Sequence, residues 1–373
     1  MYIHELPDWP RFRWGWEVVA APLADARYRQ GLLAGQMEAL GFSLRREAEL
    51  QTLTSDVLKS SEIEGEKLDA EQVRSSLARR LGIDLEKPRP VDRHVEGVVE
   101  MMLDATRNCE KPLDADRLFA WHAAMFPTAR SGMTRITVGA WRGDRLGAMQ
   151  VVSGPIGKER VHFVAPKADR IEKEMATFLE WFNAEADSDP ILRAALAHLW
   201  FVTIHPFDDG NGRIARAISD MVLARSEGDA GRFYSMSAQI LRERRAYYDT
   251  LEATQKGTMD ITSWMEWFLG CLGRAIDGTQ AVLDAVLAKG RFWRSIEGTE
   301  LNGRQRLVLN RLLDGFEGKL TTSKYGVLAR CSQDTAARDI QALVEKGILV
   351  RSPEGGRSTS YALAQTSLQQ SSS

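Results

Sequence analysis

The chain has 373 residues, 44% of them hydrophobic and 27% charged, with a formal net charge of −2. That composition fits two or three globular units with full cores, and it gives no general electrostatic case for nucleic acid or an anionic membrane. Cys109, Cys271 and Cys331 lie far apart with no C-x-x-C pair, which argues against a disulfide framework or a structural zinc. With no basic-then-apolar leader and no long apolar run, a cytoplasmic protein that engages no membrane is expected.

Residues 1–85 read as a helical arm or cap. Trp9, Trp14 and Trp16 stand in a stretch broken by Pro7 and Pro10, as aromatics do that pack against something larger. Covering a core and forming a homodimer contact are both open roles for the arm. Helical periodicity takes over near Ala24 and continues past a turn at Gly41 and Phe42. Ser60 to Gly65 reads SSEIEG, a helix segment ending at a glycine. Glu64 then sits near the C-terminal end, where the helix dipole disfavours a carboxylate unless a cation partners it.

Residues 86–275 read as a central core. From Pro88 to Ala129 the pattern is helical, punctuated by Pro112 and Pro127. His94, His122 and, further on, His198 fall inside helical patterns without carboxylates at ligand spacing, so they read as core or edge residues. Between Arg135 and Ala165 the chain turns glycine-rich and β-branched. It suggests a hairpin with strands at Met149–Ser153 and Arg160–Val164, turning at Gly154, Pro155 and Gly157. An amphipathic helix ended by polar residues and Pro190 follows, then a buried helix running to Ile204.

That helix delivers the chain to HPFDDGNGRIAR, residues 205–216. Gly210, Asn211 and Gly212 permit a tight turn whose N–H groups can converge on an anion, and the apolar spacing after them predicts a helix. A helix start presents unpaired N–H groups and the positive dipole end to whatever the turn holds. Arg213 and Arg216 lie one turn apart on that helix. His205 supplies a titratable base and Asp209 a hard oxygen ligand suited to Mg²⁺. A dinucleotide fingerprint, G-x-G-x-x-A, also matches, but it needs a strand before it and parallel β-α-β units around it. A plain helix–turn–helix loop leaves the histidine, the carboxylate and the paired arginines without a purpose.

The segment resembles the signature of the Fic family, H-x-F-x-D/E-G-N-G-R-x-x-R, at every fixed position: His205, Phe207, Asp209, Gly210, Asn211, Gly212, Arg213 and Arg216. The resemblance implies a mainly α fold: a helical core with a β-hairpin flap. It also implies transfer of AMP from ATP to a Ser, Thr or Tyr hydroxyl of a target protein, self-modification remaining open. His205 would be the catalytic base and Asp209 the Mg²⁺ ligand. Gly210, Asn211, Gly212, Arg213 and Arg216 would hold the ATP phosphates. SSEIEG also resembles the family's inhibitory motif S/T-x-x-x-E-G/N, so Glu64 would pair with Arg216 and block productive seating of the γ-phosphate. Val161 and His162 would place the flap near the nucleotide, with Tyr247, Tyr248 and Gln255 at the base. Removal of AMP, transfer of another phosphate-containing group, and a DNA-binding regulator with a nucleotide-sensing core are the competing readings.

The rest of the chain is distinct. Ala275 to Ser295 reads as a helix within a connector at 276–300. Residues 301–365 resemble a small α+β winged helix–turn–helix domain, with Gln333 to Glu345 as recognition helix, Thr335, Arg338 and Gln341 outward, and Gly355-Gly356 at a hairpin tip. DNA is one partner such a module takes and protein another; Asp334, Asp339 and Glu345 on the same helix weaken the case for DNA. The tail at 366–373 is expected to be disordered.

Overall fold

The structure is a computed structural model and describes residues 1–38, 42–85, 88–144, 147–154, 158–185, 188–228, 232–314, 316, 318–352 and 359–364. It divides into two compact units, Met1–Thr279 and Gln280–Ser373. The first therefore takes in both the arm and the core. Its helices open with α1 (Trp16–Glu38), α2 (Phe42–Ile63), α3 (Ala70–Arg80), α4 (Arg93–Arg107) and α5 (Ala115–Met125). Two small antiparallel pairs follow, β1 (Arg130–Ser131) with β2 (Thr134–Arg135), and β3 (Gln150–Ser153) with β4 (Arg160–Val164). Then come α6 (Ala168–Asn183), α7 (Pro190–Ile204), α8 (Asn211–Glu227), α9 (Met236–Arg242), α10 (Arg244–Gln255) and α11 (Thr262–Ser295), of which the residues up to Thr279 belong to this unit.

The centre of the unit is α7. Asp189 caps it by accepting from the Ile191 N–H at 2.7 Å, and Pro190 takes the first helical position, where its missing donor costs nothing. From Ile191 onward every residue but Arg193 is buried, so the helix is wrapped on all sides. On α6, Ile171, Met175, Phe178 and Phe182 form a single buried stripe facing the core. Where α4 meets α5 the backbones touch: a Cβ on Gly97 would lie 1.7 Å from the Ala124 carbonyl oxygen. Only glycine permits that approach.

The arm packs on this core. Trp9 donates to Glu174 at 2.7 Å, and the Trp9 and Phe12 rings meet Trp200 edge to face. Trp16 differs, with 58% of its surface exposed. Helix α2 is seated against α8 by a buried ion cluster, in which Arg232 binds Asp56 of α2 and, at 3.0 Å, Asp220 of α8. Gly65, at φ +85°, ends α2 in the left-handed conformation, and the Glu66 N–H returns to the Ser61 carbonyl at 3.0 Å.

The helix expected from Ala275 begins at Thr262. Buried Trp264, Phe268, Cys271 and Leu272 carry the helix past Gly270 and Gly273. In the second unit, α12 (Gly303–Leu313), α13 (Thr322–Ala329) and α14 (Gln333–Glu345) precede an antiparallel pair, β5 (Leu349–Arg351) with β6 (Tyr361–Leu363). Val308, Leu309, Tyr325, Ile340 and Leu349 are among its core residues. On α14, Arg338 and Gln341 are exposed, while Asp339 turns inward to Arg304 and Asn302. The expected hairpin tip at Gly355-Gly356, Pro155 and Gly157 of the other turn, and the tail 366–373 lie outside the described residues.

Candidate active site

The turn between α7 and α8 is built by its own sequence. His205 caps α7 at φ 54°, ψ 59°, a left-handed conformation unusual for a non-glycine residue. Arg142, almost fully buried, holds it there, donating from Nε to the His205 carbonyl at 2.8 Å and from its backbone N–H to the Pro206 carbonyl at 2.9 Å. Phe207 is wholly buried, and the His122 ring stacks on it at 4.2 Å. Asn211 staples the turn, accepting from the Phe207 N–H at 3.0 Å and donating to the Phe207 carbonyl at 2.8 Å. Its side chain is thus structural. Asp208 accepts from the Thr137 N–H at 2.8 Å.

Gly210 has φ +82°, and a Cβ there would press on Phe126 and Met125. Its N–H is taken by the Asp209 carboxylate at 2.6 Å, so it is not part of an anion nest. The donors of the nest are the next three N–H groups, of Asn211, Gly212 and Arg213, because the first intrahelical bond runs from Ile214 to Gly210. Gly212 is confined differently. A Cβ on it would stand 2.2 Å from Oε1 of Glu64.

Glu64 reaches this point from the end of α2. Arg216, 2% exposed, donates from Nη2 to Glu64 Oε1 at 2.7 Å, and binds the Ser60 hydroxyl and carbonyl at 2.9 Å each. Arg213 donates from Nη1 to Glu66 at 2.7 Å and lies over the Phe126 ring. Each arginine keeps a buried nitrogen without a hydrogen-bond partner, Nε of Arg213 and Nη1 of Arg216. Such donors at a helix N-terminus suit an anion with several oxygens.

His205 is chemically poised. Burial holds its imidazole down to about 4, so it is neutral near pH 7. Nδ1 lies 3.1 Å from the Val202 carbonyl. A carbonyl only accepts, so Nδ1 carries the proton and Nε2 keeps its lone pair. Asp209 accepts from Ser131 and from the Gly210 N–H, leaving lone pairs on both oxygens. The described residues hold no cluster of three metal-ligating side chains. A single carboxylate beside an anion site is the donor set that Mg²⁺ takes when phosphates supply the other oxygens.

A cavity of about 680 Å³ opens onto His205, Gly212 and Glu64. Glu64, His205 and Gly212 line one side; Val152, Ser153 and His162 of the hairpin another; and Tyr247, Tyr248 and Gln255 of α10 a third. The placement differs from expectation in three respects. Val161 does not line the cavity and is 39% exposed, whereas its neighbour His162 does line it. Tyr247 is a wall, its hydroxyl 3.0 Å from His198, and the Gln255 amide is held by Thr203 at 3.2 Å. Tyr248 is only partly buried, with Arg244 over its ring.

Glu66, Glu252 and Arg142 did not stand out in the sequence, and His122, read there as a core or edge histidine, is buried. Glu252 ties the hairpin to α10, binding His162 at 2.5 Å and Arg160 at 3.1 Å. His122 donates to the Asp209 carbonyl at 3.2 Å, and burial holds its imidazole down to about 4. A wider cleft, about 790 Å³, has arginines already paired: Arg80 with Glu96, Arg107 with Glu49 and Arg117 with Asp104. Size alone does not make it the site.

Residues 112–223 match the family model described as Fic/DOC family, and residues 2–83 match one described as a domain of unknown function, DUF4172. A protein adenylyltransferase Fic of Nematostella vectensis is 34% identical over 118 residues, covering 31% of this chain and 25% of that protein. Another of Culex quinquefasciatus is 36% identical over 105 residues, covering 28% and 19%. The matched segment is thus a quarter or less of these relatives' length. The crystal structure of a Fic family protein from Desulfovibrio desulfuricans G20 superposes with a TM-score of 0.53 at 20% identity, over 93% of this chain and 95% of that one. A Fic domain containing signaling protein from Bacteroides thetaiotaomicron gives 0.50 at 17% identity, over 69% and 97%. The helical unit with its hairpin is shared with these structures, and the turn from His205 to Arg216 lies inside a Fic/DOC family domain.

Proposed function

We propose that the chain is a protein adenylyltransferase that moves AMP from ATP to a hydroxyl side chain of a target protein, and that Glu64 restrains it. The observation that carries this reading is the meeting, in one cavity, of a neutral His205, of Gly212 at the start of α8 and of Glu64, whose carboxylate engages the buried Arg216 behind it. ATP phosphates would take the N–H groups of Asn211, Gly212 and Arg213, with the two arginines beside them. His205 Nε2 takes the proton of the target hydroxyl as its oxygen attacks the α-phosphorus. The bond from that phosphorus to the α,β-bridging oxygen breaks, and its electron pair leaves with pyrophosphate. Asp209 would hold Mg²⁺, which supplies charge neutralisation on the phosphates. The nest and Arg213 stabilise the leaving charge. Arg216 would orient the terminal phosphate once Glu64 lets go.

The hairpin would hold the target. Two strands with free edges can add a third through main-chain bonds, which makes little demand on the target's sequence. The second unit, by its helix order, is read as a winged helix–turn–helix whose exposed Arg338 and Gln341 could face a partner. Glu64 lines the same cavity as His205, which also favours a second reading: removal of AMP, with Glu64 positioning water.

Donor labelling separates these. Incubated with Mg²⁺ and a cell extract, the protein is expected to transfer label from α-labelled but not from γ-labelled ATP, adding the mass of AMP to a target. Label from the γ-position would make it a kinase-type site, and loss of label from a pre-modified target would favour removal.

A further inference from the structure

The inhibitory reading assigns one carboxylate to one arginine, yet the turn after α2 carries two. Gly65 sits between them at φ +85°, and the reversal it makes sends Glu64 and Glu66 toward the same helix start. Glu64 takes Arg216 and Glu66 takes Arg213, each at 2.7 Å. Arg213 is 4% exposed and Arg216 2%. Both cations that α8 offers at its first turns are therefore engaged by the same three-residue turn.

Glu66 is also fixed from behind. Its other carboxylate oxygen lies 2.5 Å from His94 Nε2, and His94 Nδ1 is anchored by the Met125 carbonyl at 2.8 Å. Helix α4 thus holds the carboxylate in place, so Glu66 cannot leave Arg213 by a simple side-chain rotation without also breaking its contact with His94. The hydrogen bond from His94, with Arg213 on the other side, holds the Glu66 carboxyl below the usual carboxylate range.

We propose that Glu66 is a second inhibitory carboxylate, withholding Arg213 from the nucleotide phosphates as Glu64 withholds Arg216. This rests on the reading of α8 as the phosphate site. On this account removal of Glu64 alone releases half of the arginine pair, and full release needs displacement of the whole 64–66 turn. A ligand or partner that lifts this turn would free both arginines in one movement.

The test measures the ATP dissociation constant, by calorimetry with Mg²⁺, for wild type, Glu64→Gly, Glu66→Gln and the double variant. The Glu64→Gly background excludes any effect of Glu66 exerted through Glu64. There Glu66→Gln is expected to tighten ATP binding by about five-fold or more, the worth of one partly buried ion pair returned to the ligand. A role confined to bracing the turn would lower the melting temperature and leave ATP affinity unchanged or weaker. Affinity in the double variant equal to that of Glu64→Gly overturns the second lock and leaves the phosphate site standing. ATP binding by none of the four proteins overturns both.

Discussion

At the scale of single residues, the account turns on His205 being neutral because it is buried. Its imidazole is held down to about 4. A general base works deprotonated, so activity is lost only as pH falls toward the folded pKa. The pH profile of kcat/KM for Glu64→Gly is expected to stay nearly level from about pH 8 to about pH 6 and to fall below about pH 5. A midpoint near the ordinary histidine value of 6.5 would contradict it. The same scale shows what a sequence can disclose. The left-handed Gly210 and the first turn of α8 follow from local chemistry, since turn geometry and helix starts are encoded within a few residues. The Glu66–Arg213 pair spans 147 positions. No local pattern contains it, although the reversal at Gly65 carries the hint that whatever follows Glu64 comes back toward the same place.

At the scale of elements, two contacts carry separate consequences. Glu252 on α10 gathers Arg160 and His162 from the hairpin together with Lys256, which lower its pKa to about 2. Glu252→Gln keeps the shape and removes the charge. Amide exchange in residues 150–153 and 160–164 is then expected to quicken by about five-fold, as roughly 1 kcal/mol of local protection is lost. Unchanged exchange would mean that the hairpin is held by packing instead. The α4–α5 crossing is less forgiving. Gly97→Ala sets a methyl carbon 1.7 Å from a backbone oxygen, and a backbone cannot rotate aside as a side chain can. A loss of about 2–3 kcal/mol and a melting temperature several degrees lower are expected; a variant melting with wild type would show that the helices can slide apart freely. Element boundaries were legible where caps and prolines mark them, as at Pro190 and Ser332. The start of α11 was not legible: it was expected at Ala275, whereas buried Trp264 and Phe268 carry the helix from Thr262.

At the scale of the molecule, the site belongs wholly to the first unit. It is assembled from α2, α7, α8, α10 and the hairpin. The family comparisons divide that unit into a segment at residues 2–83 and a Fic/DOC segment at 112–223. The structure joins them at two ion pairs, Glu64–Arg216 and Glu66–Arg213. A buried cluster of Asp56, Arg232 and Asp220 fixes the register of α2 on α8 that makes those pairs meet. Removing one member of such a cluster leaves an unpaired buried charge, so the seating of the 64–66 turn and the stability of the fold are bound together. That long-range coupling could not be read from either segment alone, whereas the turn and the start of α8 were legible in twelve consecutive residues.

The central claim is that this unit is a nucleotidyl transfer site held back by its own N-terminal turn. The most direct measurement is the initial rate of AMP incorporation from α-labelled ATP by wild type, Glu64→Gly and Glu64→Gly/His205→Ala, each checked for an unchanged circular dichroism spectrum. Release of Arg216 is expected to raise the rate at least about ten-fold in Glu64→Gly, the equivalent of about 1.4 kcal/mol, and the added His205→Ala to abolish it. A Glu64→Gly protein no faster than wild type, or a rate that survives loss of His205, would contradict the account.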